Sequence, residues 1–240
     1  MARTEHDGRV AVVTGAARSF GRAVADALAD RGAAVARVDL HDTDFVADCS
    51  SPDDVARLAD DIHTRLGPCD ILVNIAGINF ARPFDELDYD DWRRVQRINL
   101  DSQFLLCKAF APDMAAKGWG RIVNMASSSI YTNTPGLTAY MASKAGALGL
   151  TSGLANDLGP HGITVNAVSP GLTRTEAVDE SIRTGTFPEE VLDAMVGERA
   201  IPRHAAVDDL VGTVLFLVSD AAAFVTARFV VADGGATRTF

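Results

Sequence analysis

Apolar residues along the chain fall in short, nearly continuous runs separated by amphipathic stretches. Six runs read as strands: RVAVVTG, AAVARVD, CDILVNIAG, GRIVNMAS, GITVNAVSPG and ARFVVADGG. Such runs are typical of strands buried on both faces. Between most of them, helical patterns cover Gly21 to Asp30, Pro52 to Leu66, Asp90 to Ala116, Thr138 to Leu158 and Val207 to Ser219. Strands alternating with helices form βαβ units, so the pattern predicts an α/β fold: a doubly wound parallel β-sheet flanked by helices on both faces. No repeat, low-complexity tract or linker interrupts the alternation, and residues 1–240 are expected to form a single domain. Ligands of such sheets bind beyond the carboxyl ends of the strands, which is where chemistry is to be sought.

Composition narrows the function classes. A chain of 240 residues that is 48% hydrophobic has ample material for a core. Its net charge of -10 argues against a nucleic-acid partner, because phosphate backbones call for a basic footprint. The longest apolar runs, such as TVLFLV, are far short of a membrane span, and the opening MARTEHDGR lacks the apolar stretch of a secretion signal. A cytoplasmic address and no membrane partner are expected. Cys49, Cys69 and Cys107 make an odd number without a close pair, so buried thiols are expected rather than a disulfide framework or a zinc knuckle. His6, His41, His63, His161 and His204 show no metal-ligand spacing, and no metal is expected.

Two motifs stand at strand ends. In VTGAARSFGRAVADALADRGAAVARVD, Gly15 follows the first strand, Gly21 opens a helix, and Asp39 closes the second strand 24 residues after Gly15. Glycines there let backbone approach a pyrophosphate at a helix N-terminus, and a later acid suits the adenosine ribose. The turn alone would also serve as an ordinary strand-to-helix turn; the acid places both features in one βαβ unit. In YMASKAG, Tyr140 and Lys144 lie four apart and share one helix face. Taken singly, they would equally make an amphipathic surface pair.

The joint pattern resembles the short-chain dehydrogenases/reductases. TGAARSFG, NIAG at Asn74 to Gly77, Ile98 with Asn99, Ser127 in NMASSS, Tyr140 and Lys144 in YMASK, and SPG at Ser169 to Gly171 occur in that family's order. The likeness covers nearly the whole chain and includes the 13-residue Ser-to-Tyr spacing and the terminal VVADGG. It implies a Rossmann-type fold and an enzyme moving hydride between a nicotinamide cofactor and an alcohol or carbonyl. The segments RPFDELDYDDWRRVQRINLDSQF and LGPHGITVNAVSPGLTRT look most like the family's NAD-dependent secondary-alcohol dehydrogenases.

The resemblance implies a role for each residue. Oxidising an alcohol requires a base within reach of its hydroxyl, and Tyr140 is expected to fill that role. A phenol ionises near pH 10; Lys144 and the positive nicotinamide ring are expected to bring that down by roughly three units, about 4 kcal/mol. Lys144 also suits the nicotinamide ribose, and Ser127, chosen by spacing over Ser128 and Ser129, would hold the substrate oxygen. Asn99 would keep a helix locally open around a water, a role compatible with that of a buried polar residue bonding nearby backbone. Gly15, Arg18, Ser19, Phe20 and Gly21 would form the nucleotide turn, Asp39 and Leu40 would meet the ribose, and Asp48 and Cys49 the adenine edge. Asn74 would steady the central strand while Ala76 and Gly77 approach the cofactor. Pro170 and Gly171 would shape the nicotinamide pocket, with the Thr173 backbone and the Thr175 hydroxyl on the carboxamide; a plain turn is the other reading of this segment.

Departures from the family pattern matter too. Ser19 stands where the turn's middle glycine is usual, Ile75 where a second asparagine is common, and DLHDTDFVAD is too short for the helix most members carry there. Residues 176–202 are expected to be a substrate lid of one helix or two short ones, its apolar face (Val178, Ile182, Phe187, Leu192, Met195) serving either a substrate or ordinary core. Phe80, Ser129, Ile130, Tyr131, Leu172, Phe187 and Met195 are the candidate substrate residues; nothing among them forms an arginine clamp, which favours a hydrophobic or aromatic secondary alcohol and its ketone. The alternatives are an NADPH-dependent ketoreductase of 3-oxoacyl or polyketide-like substrates and a nucleotide-binding relative without turnover. Retention of Asn99, Ser127, Tyr140 and Lys144 together argues against the last. Arg18 favours NADP and Asp39 favours NAD. Like charges about 4 Å apart cost about 4 kcal/mol at an effective dielectric of 20, so NAD is expected. Small residues along Thr138 to Leu158, including Ala139, Ala142, Ala145, Ala147 and Gly149, together with the resemblance, imply a homotetramer.

Overall fold

The computed structural model describes residues 5–132, 134–185 and 187–238. The first four residues of the polar opening, and position 186 within the expected lid, lie outside the described residues. The strands are β1 (Val10–Thr14), β2 (Ala34–Asp39), β3 (Phe45–Val46), β4 (Ile71–Asn74), β5 (Gly120–Met125), β6 (Ile163–Pro170) and β7 (Phe229–Ala232). They form one sheet in the order β3-β2-β1-β4-β5-β6-β7, and every pairing is parallel. The helices are α1 (Ser19–Ala29), α2 (Pro52–Arg65), α3 (Tyr89–Gln96), α4 (Ser102–Lys117), α5 (Thr138–Leu158), α6 (Glu176–Arg183), α7 (Glu189–Gly197) and α8 (Asp208–Val218). None is long and apolar enough to cross a membrane.

Burial explains the continuous apolar runs. In β1, Val10 and Val12 feed a core layer with Leu58 and Ile62 of α2 and Phe110 and Met114 of α4. Ala11 and Val13 feed the opposite layer with Val24 and Leu28 of α1 and Val214 and Leu217 of α8. A strand covered on both sides has no solvated face for polar residues to occupy. The chain order reverses between β1 and β4, and this switch point opens a crevice at the strands' carboxyl ends.

Two expectations are corrected. The stretch from Asp90 to Ala116 is not one helix: α3 and α4 are joined by a wider π-helical turn, Arg97–Asp101, with Asn99 at its centre. Asn99 is fully buried, accepts from Ile78 N at 2.8 Å through Oδ1, and donates through Nδ2 to Ile78 O at 3.0 Å and Ser143 Oγ at 3.1 Å. These bonds hold its side chain inward, away from the helix ladder, where such turns often mark functional sites. The second correction is a seventh strand. β3 pairs with β2 in parallel after residues 40–44 alone, without a crossover helix. Asp42 makes that tight return in the left-handed region, at φ 58°.

The segment expected as a lid contains two helices, α6 and α7. Thr175 caps α6, accepting from Val178 N at 3.3 Å, and Arg174 ties the pair together by donating to Asp179 at 2.7 Å and Glu189 at 3.4 Å. Leu192 is buried, whereas Val178, Ile182, Phe187 and Met195 stay half-buried. All three cysteines are free and buried.

Candidate active site

The turn after β1 is shaped by close backbone packing. Gly15 sits at φ 69°, and a Cβ on Gly21 would stand 2.0 Å from the Gly15 carbonyl oxygen, so only glycine fits there. Asp39 braces the turn, its Oδ2 accepting from Ala17 N at 3.0 Å and its Oδ1 from Leu40 N at 2.8 Å. Thr14 Oγ1 accepts from Ile75 N at 3.0 Å and Ala76 N at 3.1 Å, which locks the end of β4 beside that of β1. Ser19 takes φ 48°, the left-handed conformation that explains the glycine usual at this corner.

These elements enclose a cavity of about 430 Å³ at the sheet's switch point. Gly15, Arg18, Ser19, Phe20, Gly21, Asp39, Leu40, Asp48, Cys49, Ala76, Gly77 and Thr175 line it, as sequence reading places them. Arg18 is exposed, and no ion pair to it occurs among the described residues. Burial, followed by the nearby Asp48 and Asp39, pushes the Cys49 thiol up to about 12, which keeps it protonated. The N-terminus of α1 faces this cavity without a side-chain cap, leaving its first backbone N–H groups for an anion. Close glycine packing, an uncapped helix start and a carboxylate at the end of β2 suit a dinucleotide.

Asn74 lies beneath the cavity, its Nδ2 donating to Asn124 Oδ1 at 2.8 Å across the β4–β5 pair. Asn124 in turn donates to Thr151 Oγ1 of α5 at 3.0 Å. Pro170 ends β6 and Gly171 and Thr173 follow it, outside the cavity lining; Thr173 bridges Ala205 and donates its hydroxyl to Gly171 O at 3.0 Å. Phe80, Ser129, Ile130, Tyr131, Leu172, Phe187 and Met195 also lie outside that lining.

Ser127, Tyr140, Lys144 and Asn99 gather beside the cavity. Ser127 follows β5 and opens a short 3₁₀ turn, Ser128–Tyr131, while Tyr140 and Lys144 project from the first turns of α5. Burial raises the Tyr140 phenol above its ordinary value, and a hydrogen bond with Ser127 pulls the other way. In the protein alone, desolvation of the phenolate outweighs the Ser127 bond, so the expected lowering falls to the bound nicotinamide ring together with Lys144. Lys144 Nζ stands 5.8 Å from the Tyr140 ring centre and donates to Met125 O at 3.0 Å. Burial brings its ammonium down to about 8. A Cβ on Gly77 would meet Asn99 Oδ1 at 3.0 Å and Lys144 Nζ at 3.5 Å, so this glycine keeps cofactor cleft and ammonium adjacent.

Sequence reading missed several contributors. Ile75, Ile78, Arg97, Ile98 and Ser102 line the cavity; all are neighbours of motif residues, the last three flanking Asn99. Ser143 donates to Tyr140 O at 2.7 Å and accepts from Asn99, coupling the π turn to α5. Gln103 is buried and donates to both Asn99 O at 3.0 Å and Met125 O at 3.1 Å, strapping the π turn to the carbonyl that holds Lys144.

Comparison with known proteins agrees with this architecture. Residues 15–237 match the family model described as Enoyl-(Acyl carrier protein) reductase. D-threitol dehydrogenase of Mycolicibacterium smegmatis is 36% identical over 96% of this chain and 94% of its own length. A 3-oxoacyl-(acyl-carrier-protein) reductase of Pseudomonas aeruginosa is 35% identical over 95% of this chain and 97% of its own. A solved structure from Burkholderia xenovorans, described as a short-chain dehydrogenase/reductase, superposes with a TM-score of 0.92 at 32% identity, covering 97% of this chain and 98% of that one. With its Rossmann-type sheet, the chain belongs to the short-chain dehydrogenase/reductase family and is an oxidoreductase acting on CH–OH groups with a nicotinamide cofactor.

Proposed function

We propose that the protein transfers hydride between NAD(H) and a secondary alcohol or its ketone, with Tyr140 as general acid/base. The observation that carries this reading is the gathering of Ser127, Tyr140, Lys144 and Asn99 beside the cavity, joined to its lining through Gly77. In oxidation, the Tyr140 phenolate takes the hydroxyl proton while Ser127 donates to the substrate oxygen. A nicotinamide bound in the cavity would supply the hydride acceptor that the carbinol carbon needs. Lys144, 5.8 Å from the Tyr140 ring centre and held by the Met125 carbonyl, would favour the phenolate electrostatically and would be the ammonium for a ribose hydroxyl. Asn99 keeps the π turn open and Gln103 fixes its carbonyl.

Gly15, Ser19 and the α1 N-terminus hold the diphosphate, Asp39 the adenosine ribose, Asp48 and Cys49 the adenine, and Pro170, Gly171, Thr173 and Thr175 the nicotinamide end. Asp39 supports NAD, since its carboxylate would oppose a 2′-phosphate while Arg18 remains in solvent. α6 and α7 act as the lid, and the half-buried Phe80, Ile130, Phe187 and Met195 favour a hydrophobic or aromatic substrate. The protein works as a cytoplasmic homotetramer. The reductase relative from Pseudomonas aeruginosa supports the second reading, a 3-oxoacyl ketoreductase using NADPH.

Tyr140→Phe tests the central assignment. It should retain the fold and cofactor binding while lowering turnover by a factor on the order of a hundred or more. Near wild-type turnover of secondary alcohols by that variant would remove Tyr140 from the role.

A further inference from the structure

Ser127 Oγ accepts two hydrogen bonds within its own turn, from Ser129 N at 3.2 Å and from Ser129 Oγ at 2.9 Å. A serine hydroxyl has one proton and two acceptor lone pairs. With both lone pairs taken, the hydroxyl can only donate in its remaining direction, toward Tyr140. The turn is itself pinned, because Ser129 O accepts from Thr132 N at 3.1 Å and from Thr132 Oγ1 at 3.0 Å. Ser127 is buried and Ser129 half-buried, so bulk water is poorly placed to replace these partners.

We infer that Ser129 is a positioning residue: it saturates the acceptor side of Ser127 and thereby commits the Ser127 proton to the oxygen in front of it. In the resting protein that oxygen is the Tyr140 phenol, and in turnover it is the substrate oxygen. This inference rests on the proposed roles of Ser127 and Tyr140. A donor facing a phenol stabilises the phenolate, whereas an acceptor stabilises the neutral phenol. Removing the Ser129 hydroxyl frees one lone pair, lets Ser127 accept a proton from Tyr140, and weakens the bias toward ionisation. Among the described residues, Lys144 on the same helix is the titratable group facing the Tyr140 ring, and no carboxylate or histidine from the β5 end, the Ser127 turn or the π turn acts on the phenol.

The test uses the full chain as wild type, Ser129→Ala and Ser129→Thr, the last keeping a hydroxyl at the same atom. In the cofactor-free protein, the Tyr140 ring carbon bearing the hydroxyl is followed by carbon-13 NMR through alkaline titration, assigned by its loss in Tyr140→Phe. One hydrogen bond is worth about 0.5–1.5 kcal/mol, so the alanine variant should titrate roughly half a unit to one unit higher. Its pH–kcat profile should move the same way, with kcat near neutrality down by about three- to tenfold, and threonine should restore both. An unshifted titration in Ser129→Ala, or a shift that threonine leaves in place, would overturn the inference. Because the titration needs no turnover, it reads Ser129 even if Tyr140→Phe were to exclude Tyr140 as the base.

Discussion

Ser19 Oγ donates to Glu176 Oε2 at 3.1 Å, joining the corner of the nucleotide turn to the first residue of α6. Both groups are exposed, so the bond itself contributes little, yet it shows where the side chain at this corner points: toward the segment proposed as a lid. Ser19 also lies at φ 48°, a conformation that costs an L-residue about 1–2 kcal/mol.

Ser19→Gly should therefore bind NADH more tightly. Glycine removes a side chain from the cavity wall and frees α6 from the turn; the left-handed strain it relieves is shared by free and bound protein and goes to stability. The expected fall in Kd is up to about tenfold, equivalent to roughly 1.4 kcal/mol. Fluorescence titration of NADH measures it. Weaker binding by the variant would mean that the Ser19–Glu176 contact supports the cofactor site instead of crowding it.

Lys144 makes folding stability depend on pH. Its folded value of about 8 lies below the unfolded 10.5, so the unfolded chain binds more protons between those limits and stability rises with pH across them. Lys144→Met removes this dependence. Relative to that variant, the wild type should gain about 2–3 kcal/mol between pH 8 and pH 10, below the range in which Tyr140 ionises. Urea unfolding of both proteins across this window checks the slope. A constant difference would show that Lys144 titrates near its ordinary value despite burial.

Much of this was legible in the sequence because it is local. β1 reads as a strand since both its faces are buried, and the α1 turn reads as a nucleotide site since Gly21 cannot carry a Cβ against Gly15. β3 was hidden because two residues show no period, and because its pairing with β2 depends on the tight return at Asp42. The break between α3 and α4 was legible only through Asn99, whose partners Ile78 and Ser143 come from distant segments. Likewise, the rise of the Tyr140 phenol comes from burial by the assembled site, a quantity no motif spacing encodes. Gln103 escaped notice, and Ser129 reads from the sequence as a substrate residue instead of a partner of Ser127, because hydrogen-bond direction belongs to the tertiary structure.

Asp39 should set the cofactor preference by charge. Both its oxygens already accept backbone N–H groups, so replacing it with a small residue would disturb the turn as well as the charge. Asp39→Asn keeps one acceptor and removes the repulsion. Wild type is expected to show the higher kcat/KM with NAD, and the variant should improve the NADP-to-NAD ratio by about tenfold or more, well within the roughly 4 kcal/mol of two like charges at close range. Initial rates with each cofactor decide it, and a wild-type preference for NADP would favour the ketoreductase reading.

Assembly is the last expectation to test. Phe104 on α4 is 50% exposed, and Phe216 on α8 is 48% exposed, with Phe224 and Phe229 also in solvent near the β7 edge. These rings stand on different elements: α4 neighbours α5, whose Ala142, Ala145 and Gly149 permit close helix approach, whereas α8 and β7 flank the last strand pair. Two apolar faces in one chain suit two kinds of two-fold contact, which together close a tetramer. Light scattering at micromolar concentration should give four times the chain mass. Charging one face, as in Phe216→Glu, should leave a dimer held by the other, with the monomer fold intact. A wild-type protein that scatters as a stable monomer would leave both faces without a partner and refute the tetramer.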